Sequence, residues 1–149
     1  RYVIERVPVD AILSYCHYSL NDTSLLELIP TLKAKGVGVI SASPLSMALL
    51  STRGAPDWHP APPRVKQLCA QAAAHCRAKG ASIEKLAVQY AVAQPDIATT
   101  VVGTAEPKNM ELNLAALDEP IDQQLLAEVL EILKPIHNVT WPSGRPENN

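Results

Sequence analysis

Two short segments hold the residues whose types and spacing could do chemistry. Gly103-Thr104-Ala105-Glu106-Pro107 follows the apolar run from Ile97 to Val102. A glycine there lets the backbone come close to a ligand, a threonine adds a hydroxyl, and a proline at a first helical position leaves N-terminal N–H groups to receive an anion such as phosphate. Ser43-Pro44-Leu45 follows a second apolar run, Val37 to Ala42. Its serine offers a hydroxyl at a strand end, its proline fixes the turn, and its leucine presents an apolar wall to a flat ring. Both segments lie where parallel strands run out into turns, the place where βα enzymes build their sites. The plain alternative for Ser43 to Leu45 is a turn that merely ends a strand.

Other candidates carry less. Gly36-Val37-Gly38 lacks the third glycine of a dinucleotide fingerprint and precedes a strand instead of following one, and no Walker A pattern occurs. Cys69, His75 and Cys76 have metal-ligand composition, but the two cysteines sit seven apart on an apolar stripe with no second ligand pair, so they read as core residues. No metal site is expected. Tyr15, Cys16, His17 and Tyr18 end the first strand, where titratable groups could face a pocket; for His17, turn packing is the expected role. His59, His75 and His137 sit among prolines or on helix flanks and read as solvated. No residue stands out as a catalytic group.

These segments need elements to position them. Arg1 to Pro8 resembles the end of a helix or loop, and Val9 to Tyr15 reads as a short buried strand. Asn21 to Ser24 supplies turn and cap chemistry for a helix carrying Leu25, Leu28, Ile29 and Leu32 on one face, shortened or kinked by Pro30 and stopped at Gly36. Ser51 to Pro63 is a proline-rich loop, long enough to be functional or mobile. Helices follow from Arg64 to Gly80 and from Ser82, the second with Ile83, Leu86, Ala87, Tyr90 and Ala91 inward. After the third strand come helices near Pro107 to Leu117 and Asp122 to Lys134, the latter with Leu126, Val129, Leu130 and Leu133 inward. The order β-α-β-αα-β-αα, with strands apolar at nearly every position, predicts a parallel sheet covered on both faces. Three strands are too few for a doubly wound sheet or a closed eight-stranded barrel, so something must complete the sheet.

Composition narrows the partners. The chain has 149 residues, is 47% hydrophobic and has a net charge of −2, which suits a globular protein without an electrostatic footprint for nucleic acid or an anionic membrane. Three cysteines are too few for a disulfide framework, so a soluble protein of a reducing compartment, the cytoplasm, is expected. The two sequons, Asn21-Asp22-Thr23 and Asn138-Val139-Thr140, are discounted because no signal peptide is seen to deliver them. The start at Arg1, without Met or leader, reads as truncation or processing.

Ile40-Ser41-Ala42-Ser43-Pro44-Leu45, taken with Val102-Gly103-Thr104-Ala105-Glu106-Pro107 and the following Lys108 to Leu114, resembles the last two strand ends of the aldo-keto reductases. More narrowly, Leu13 to Tyr18, Gly36 to Leu45, Trp58-His59-Pro60-Ala61 and Thr140-Trp141-Pro142-Ser143-Gly144 resemble the L-galactose dehydrogenases of plants and algae. The resemblance covers essentially the whole chain. It implies an α/β fold in which residues 1–149 form the C-terminal half of a (β/α)8 TIM barrel, with strands six to eight present and the N-terminal strands absent.

The resemblance also implies roles. Ser43 and Leu45 would touch the nicotinamide mononucleotide and pyrophosphate side of a dinucleotide, Gly103 and Thr104 the adenosine phosphate region, and Asn109 and Asn113 the adenine end. Tyr15 stands where the family usually has a glutamine, and Ala42 where many members carry an aromatic that stacks on the nicotinamide. The family's catalytic aspartate, tyrosine, lysine and histidine lie on earlier strands, so no residue here matches them. The implied activity is NAD-dependent oxidation of an aldose, L-galactose to L-galactono-1,4-lactone in ascorbate biosynthesis, by the intact enzyme. NAD is expected over NADP because basic residues are missing at Gly103 and Asn109. Alternatives are a non-catalytic nucleotide-binding or structural subunit built on the half-barrel, or a general reductase of other aldehydes. The expected partners are the dinucleotide, a small sugar, and the missing barrel half or a completing chain.

Overall fold

The computed structural model describes residues 1–142. Ser143 and Gly144, part of the resemblance above, lie outside the described residues.

Three parallel strands, β1 (Ala11–Tyr15), β2 (Gly38–Ala42) and β3 (Thr99–Val101), form one sheet in the order β1-β2-β3. Each is shorter than its apolar run, because pairing stops where the partner strand stops. Register sets Leu13 opposite Ile40, Tyr15 opposite Ala42, and Ala42 opposite Val101.

The helices begin and end where local chemistry dictates. Pro30 does not kink one long helix; it divides it. A 3-10 turn, Ser24–Glu27, precedes α1 (Ile29–Ala34), and Pro30 sits in the first turn of α1, where its missing N–H is not needed. Gly36, at φ +69°, ends α1: its N–H donates to Lys33 O at 3.0 Å, and Val37 N–H donates to Leu32 O at 2.9 Å. This double closure is a Schellman motif, and Gly80 repeats it after α2 (Pro63–Ala78), with Gly80 N–H on Arg77 O and Ala81 N–H on Cys76 O. Ser82 caps α3 (Ile83–Val92) by accepting from Lys85 N–H, and Asp122 caps α5 (Gln123–Leu133) by accepting from Leu125 N–H. Between them lies α4 (Pro107–Leu117).

Two apolar clusters follow. One joins α2, α3 and α5 through Leu68, Cys69, Ala72, Cys76, Ile83, Leu86, Leu125, Val129 and Leu133. Leu125, not Leu126 or Leu130, is the fully buried leucine of the first turns of α5, because the Asp122 cap sets its phase. The other lies beneath the sheet, where Leu25, Ile29, Leu32, Val39 and Ile97 pack and Tyr18 stacks on Tyr90 with ring centroids 5.4 Å apart.

The expectation that both sheet faces are covered is not met. Side chains alternate along a strand, so Leu13 and Tyr15 of β1 share one face with Ile40 and Ala42 of β2 and Val101 of β3. The opposite face, with Val39 and Ser41, is buried against the helices. The first face is open along its two outer strands, with Leu13 58% exposed, Tyr15 53% and Val101 48%, while Ala42 on the central strand is buried between them. Met110, Leu114 and Leu117, spaced as one stripe of α4, are exposed as well. The strands read as doubly covered because apolar residues occupy both faces, although Leu13, Tyr15 and Val101 have no cover among the described residues.

Candidate functional site

At the carboxyl end of the sheet the ladder continues for one residue past β1 and β2. Cys16 N–H donates to Ala42 O at 3.0 Å, and Ser43 N–H donates to Val101 O at 3.2 Å. Cys16 and Ser43 then both turn left-handed, each with φ 63°. Burial pushes the Cys16 thiol up from its ordinary value, more than the neighbouring Ser43 side chain lowers it.

Ser43 opens a tight loop. Ser46 N–H donates to Ser43 O at 2.9 Å and Met47 N–H to Ser43 Oγ at 3.0 Å. Ser46, Met47 and Ala48 follow with φ of 47°, 57° and 73°, three successive non-glycine residues in the left-handed region. Such a run costs roughly 1–2 kcal/mol per residue, so neighbouring contacts must over-determine it. Ser46 is fully buried; its Oγ lies 2.8 Å from Asn21 Oδ1, to which it donates, and 3.0 Å from Ser19 Oγ. Leu50 N–H returns to Leu45 O at 3.1 Å, and Leu49 and Leu50 enter the helical core. Farther along, Glu84 at the start of α3 accepts from Thr52 N–H at 2.6 Å, Thr52 Oγ1 at 2.7 Å and Ser82 Oγ at 2.7 Å. Burial works to raise the Glu84 carboxyl, but these hydrogen bonds outweigh it and hold the group below its ordinary value.

His59 corrects its sequence reading. It is not solvated: only 3% of it is exposed. Nδ1 accepts from Ala61 N–H at 3.0 Å, and Nε2 donates to Ser46 O at 3.2 Å. Burial, above all, holds the imidazole below its ordinary value. The Trp141 ring meets His59 edge-on at 4.9 Å, while Trp58 stacks at 6.1 Å and is itself exposed.

At the end of β3, Gly103 to Glu106 are exposed. A Cβ placed on Gly103 would meet nothing within 4 Å, so bare backbone faces open space. Thr104 Oγ1 accepts from Glu106 N–H at 3.1 Å and lies 3.4 Å from Asn109 Nδ2. Asn109 and the half-buried Asn113 lie one turn apart on the same side of α4. Ser43, Leu45, Gly103, Thr104, Asn109 and Asn113 thus lie along the ends of two adjacent strands and the helix after the second.

The remaining candidates sit apart. Tyr15 shares the open face with Ala42, while Tyr18 is buried against Tyr90. His17 Nδ1 is 3.1 Å from Ser24 Oγ, a turn contact. Burial raises the Cys69 thiol to about 12, and His75 turns away from both helix cysteines onto Glu128. His137 is exposed, with Nε2 2.9 Å from Thr23 Oγ1. Among the described residues, no group of three His, Cys, Asp or Glu side chains could hold a metal, and no helix is long and apolar enough to cross a membrane. Sequence reasoning missed the left-handed turn, since no glycine marks it, and the Glu84 clamp, whose only trace is a Ser-x-Glu at a helix start.

The Aldo/keto reductase family model matches residues 4–134. L-galactose dehydrogenase of Arabidopsis thaliana is 52% identical over 154 aligned residues, which cover 99% of this chain and 48% of that protein. D-arabinose 1-dehydrogenase of Saccharomyces cerevisiae is 29% identical over 151 aligned residues, covering 93% of this chain and 45% of that protein. The chain therefore spans about half the length of the curated relatives it matches. Among solved structures, an aldo-keto reductase from Bacillus halodurans in its holo form superposes with a TM-score of 0.64 at 21% identity, covering 94% of this chain and 46% of that one. Its apo form gives a TM-score of 0.63 at 21% identity, covering 94% and 47%. The open sheet face and the unpaired edges of β1 and β3 are those of a partial α/β barrel.

Proposed function

Because the chain belongs to the aldo/keto reductase family, we propose that it is the dinucleotide-binding C-terminal part of an NAD-dependent dehydrogenase that oxidises L-galactose to L-galactono-1,4-lactone, a step of ascorbate biosynthesis. The observation that carries this reading is the 52% identity to L-galactose dehydrogenase across 99% of the chain. The donor set fits a dinucleotide. Gly103 leaves room for a phosphate at the start of α4, an eleven-residue helix whose N-terminal dipole favours an anion. Thr104 adds a hydroxyl beside it, and Lys108 a positive charge.

A bound nicotinamide supplies the hydride acceptor for the sugar's anomeric carbon. This chain's residues bind and orient. The Ser43 hydroxyl would donate to a phosphate oxygen, Leu45 would wall the ring, and Asn109 and Asn113 would face the adenine. The groups that move the substrate's proton belong to the strands that complete the barrel, so these 149 residues alone turn nothing over. Completion comes from the rest of one polypeptide; in the competing reading, a non-catalytic nucleotide-binding or structural subunit, another chain completes the half-barrel. Three free, buried thiols support a reducing, cytoplasmic setting.

The test is steady-state oxidation by the full-length protein of L-galactose, D-arabinose and simple aldehydes with NAD. L-galactose is expected to give the highest kcat/KM. Equal rates on D-arabinose overturn the substrate, and a natural product of this chain's length joined to a separate partner favours the subunit reading.

A further inference from the structure

We propose that His59 is a positioning residue: by donating from Nε2 to Ser46 it holds the left-handed Ser46-Met47-Ala48 turn, and through that turn it fixes Ser43 and Leu45 for the dinucleotide. The proposal rests on the cofactor reading above. Its two ring nitrogens have partners of opposite kind, which fixes the proton. Ser46 O can only accept, so Nε2 carries hydrogen; Ala61 N–H can only donate, so Nδ1 is bare. Burial supports the neutral ring, and the positive Lys66 nearby disfavours a second proton. Trp141 and Trp58 contact the ring and limit its rotation.

Ser46 is the point where this restraint enters the loop. Its side chain is held by Asn21 and Ser19, its carbonyl by His59, and its N–H by Ser43 O. Ser43 in turn accepts from Met47 N–H. Left-handed non-glycine residues persist only where their surroundings over-determine them. Releasing the Ser46 carbonyl lets the turn relax, and the Ser43 hydroxyl and Leu45 lose their fixed places.

Two substitutions in the full-length protein separate the ring's bonds. His59→Asn keeps an acceptor for Ala61 N–H but has no donor that reaches Ser46 O, whereas His59→Gln keeps such a donor. The dinucleotide dissociation constant, read by fluorescence titration, is expected to rise about tenfold in His59→Asn and to stay within about threefold in His59→Gln, the size of one lost hydrogen bond. With saturating dinucleotide, kcat is expected to change less than about twofold, since the effect lies in loop placement. A folded His59→Asn variant that binds like wild type, or one that loses kcat with binding intact, overturns the proposal. A wild-type protein that binds no dinucleotide overturns the cofactor reading and this one with it. Imidazole nitrogen NMR of the wild type provides a check independent of variant folding: the neutral Nε2–H form at pH 6 to 8 supports the assignment, and the Nδ1–H or cationic form overturns it.

Discussion

Cys16 and Ser43, the residues directly after β1 and β2, share a backbone φ of 63°, and each donates its N–H to the end of the next strand, Cys16 to Ala42 O and Ser43 to Val101 O. The matching left-handed kinks turn two successive loops off the sheet at one level. Reactivity of a cysteine requires its thiolate, which burial disfavours here. Residue-resolved alkylation of the full-length protein at neutral pH should therefore leave Cys16 and Cys69 unmodified while folded and label both in denaturant. Ready labelling of Cys16 in the folded protein shows that the two loops come apart and removes the basis for a fixed Ser43.

In the proposed cofactor site, Gly103 allows ligand contact to be tested apart from folding. Its backbone lies outside the left-handed region and a Cβ there meets nothing, so Gly103→Val should leave the thermal midpoint nearly unchanged. In the full-length protein the same substitution should raise the dinucleotide dissociation constant about tenfold, some 1.4 kcal/mol, and alter the sugar KM much less. Titration calorimetry showing unchanged dinucleotide affinity places the phosphate elsewhere.

What was legible in the sequence followed from local rules. Gly36 and Gly80 mark their helix ends because φ near +70° favours glycine, and Ser82 and Asp122 mark helix starts because their side chains accept from the backbone three residues on. The same reading placed Ser43 and Gly103 at neighbouring strand ends, since apolar runs broken by turn residues announce parallel strands. Burial by distant residues was not legible. His59 is buried where its ring bonds Ser46 and Ala61 and the tail residue Trp141 meets it edge-on, and prolines on either side say nothing of that. Leu13 and Tyr15 misled in the opposite sense: their character reads as buried, but both stand more than half exposed.

Glu128 ties α5 to α2. Its carboxylate accepts from Lys79 at 2.6 Å and His75 at 2.6 Å, with Gln124 at 3.2 Å, and these donors bring its pKa from 4.5 down to about 2. A depressed carboxyl favours the folded state above its unfolded pKa and loses that contribution as pH falls through the folded one. Comparing wild type with Glu128→Gln by thermal melts, the wild-type advantage should be full above pH 5 and shrink between about pH 4.5 and 2. A difference that stays constant down to pH 2 shows that the cluster does not stabilise the charged form.

Leu13 tests what covers the open face. It is 58% exposed on β1, so Leu13→Asn in a polypeptide of these 149 residues should lower dye binding and improve solubility. In the full-length protein the same change should destabilise by about 2–4 kcal/mol, the cost of losing a buried leucine, measured by urea unfolding. The 149 residues alone should bind a hydrophobic dye and unfold without cooperativity. A sharp thermal transition with dehydrogenase turnover from this polypeptide defeats the half-barrel account, and a full-length protein whose stability Leu13→Asn leaves unchanged shows that the face stays open.

In the proposed reading, cofactor choice depends on the loop from Gly103 to Glu106 and the start of α4. An NADP 2′-phosphate needs a guanidinium or ammonium partner, and the positions suited to one carry Gly103 and Asn109 instead. Asn109 is already directed at Thr104, with Nδ2 3.4 Å from Oγ1. Glu106 and Glu111 add negative charge along the exposed start of α4, where Lys108 is the one basic residue in the segment 103–114. A lone lysine can bind phosphate as a point charge, but here two carboxylates oppose it in solvent, where screening leaves each interaction well under 1 kcal/mol. NAD loses nothing by this arrangement because it brings no 2′-phosphate. The full-length protein is therefore expected to show a higher kcat/KM with NAD than with NADP, and Asn109→Arg to move the ratio toward NADP by about tenfold, the worth of one charge-assisted hydrogen bond. A wild-type preference for NADP of about tenfold or more overturns the assignment, and an Asn109→Arg variant with an unchanged ratio removes residue 109 from the adenosine end of the site.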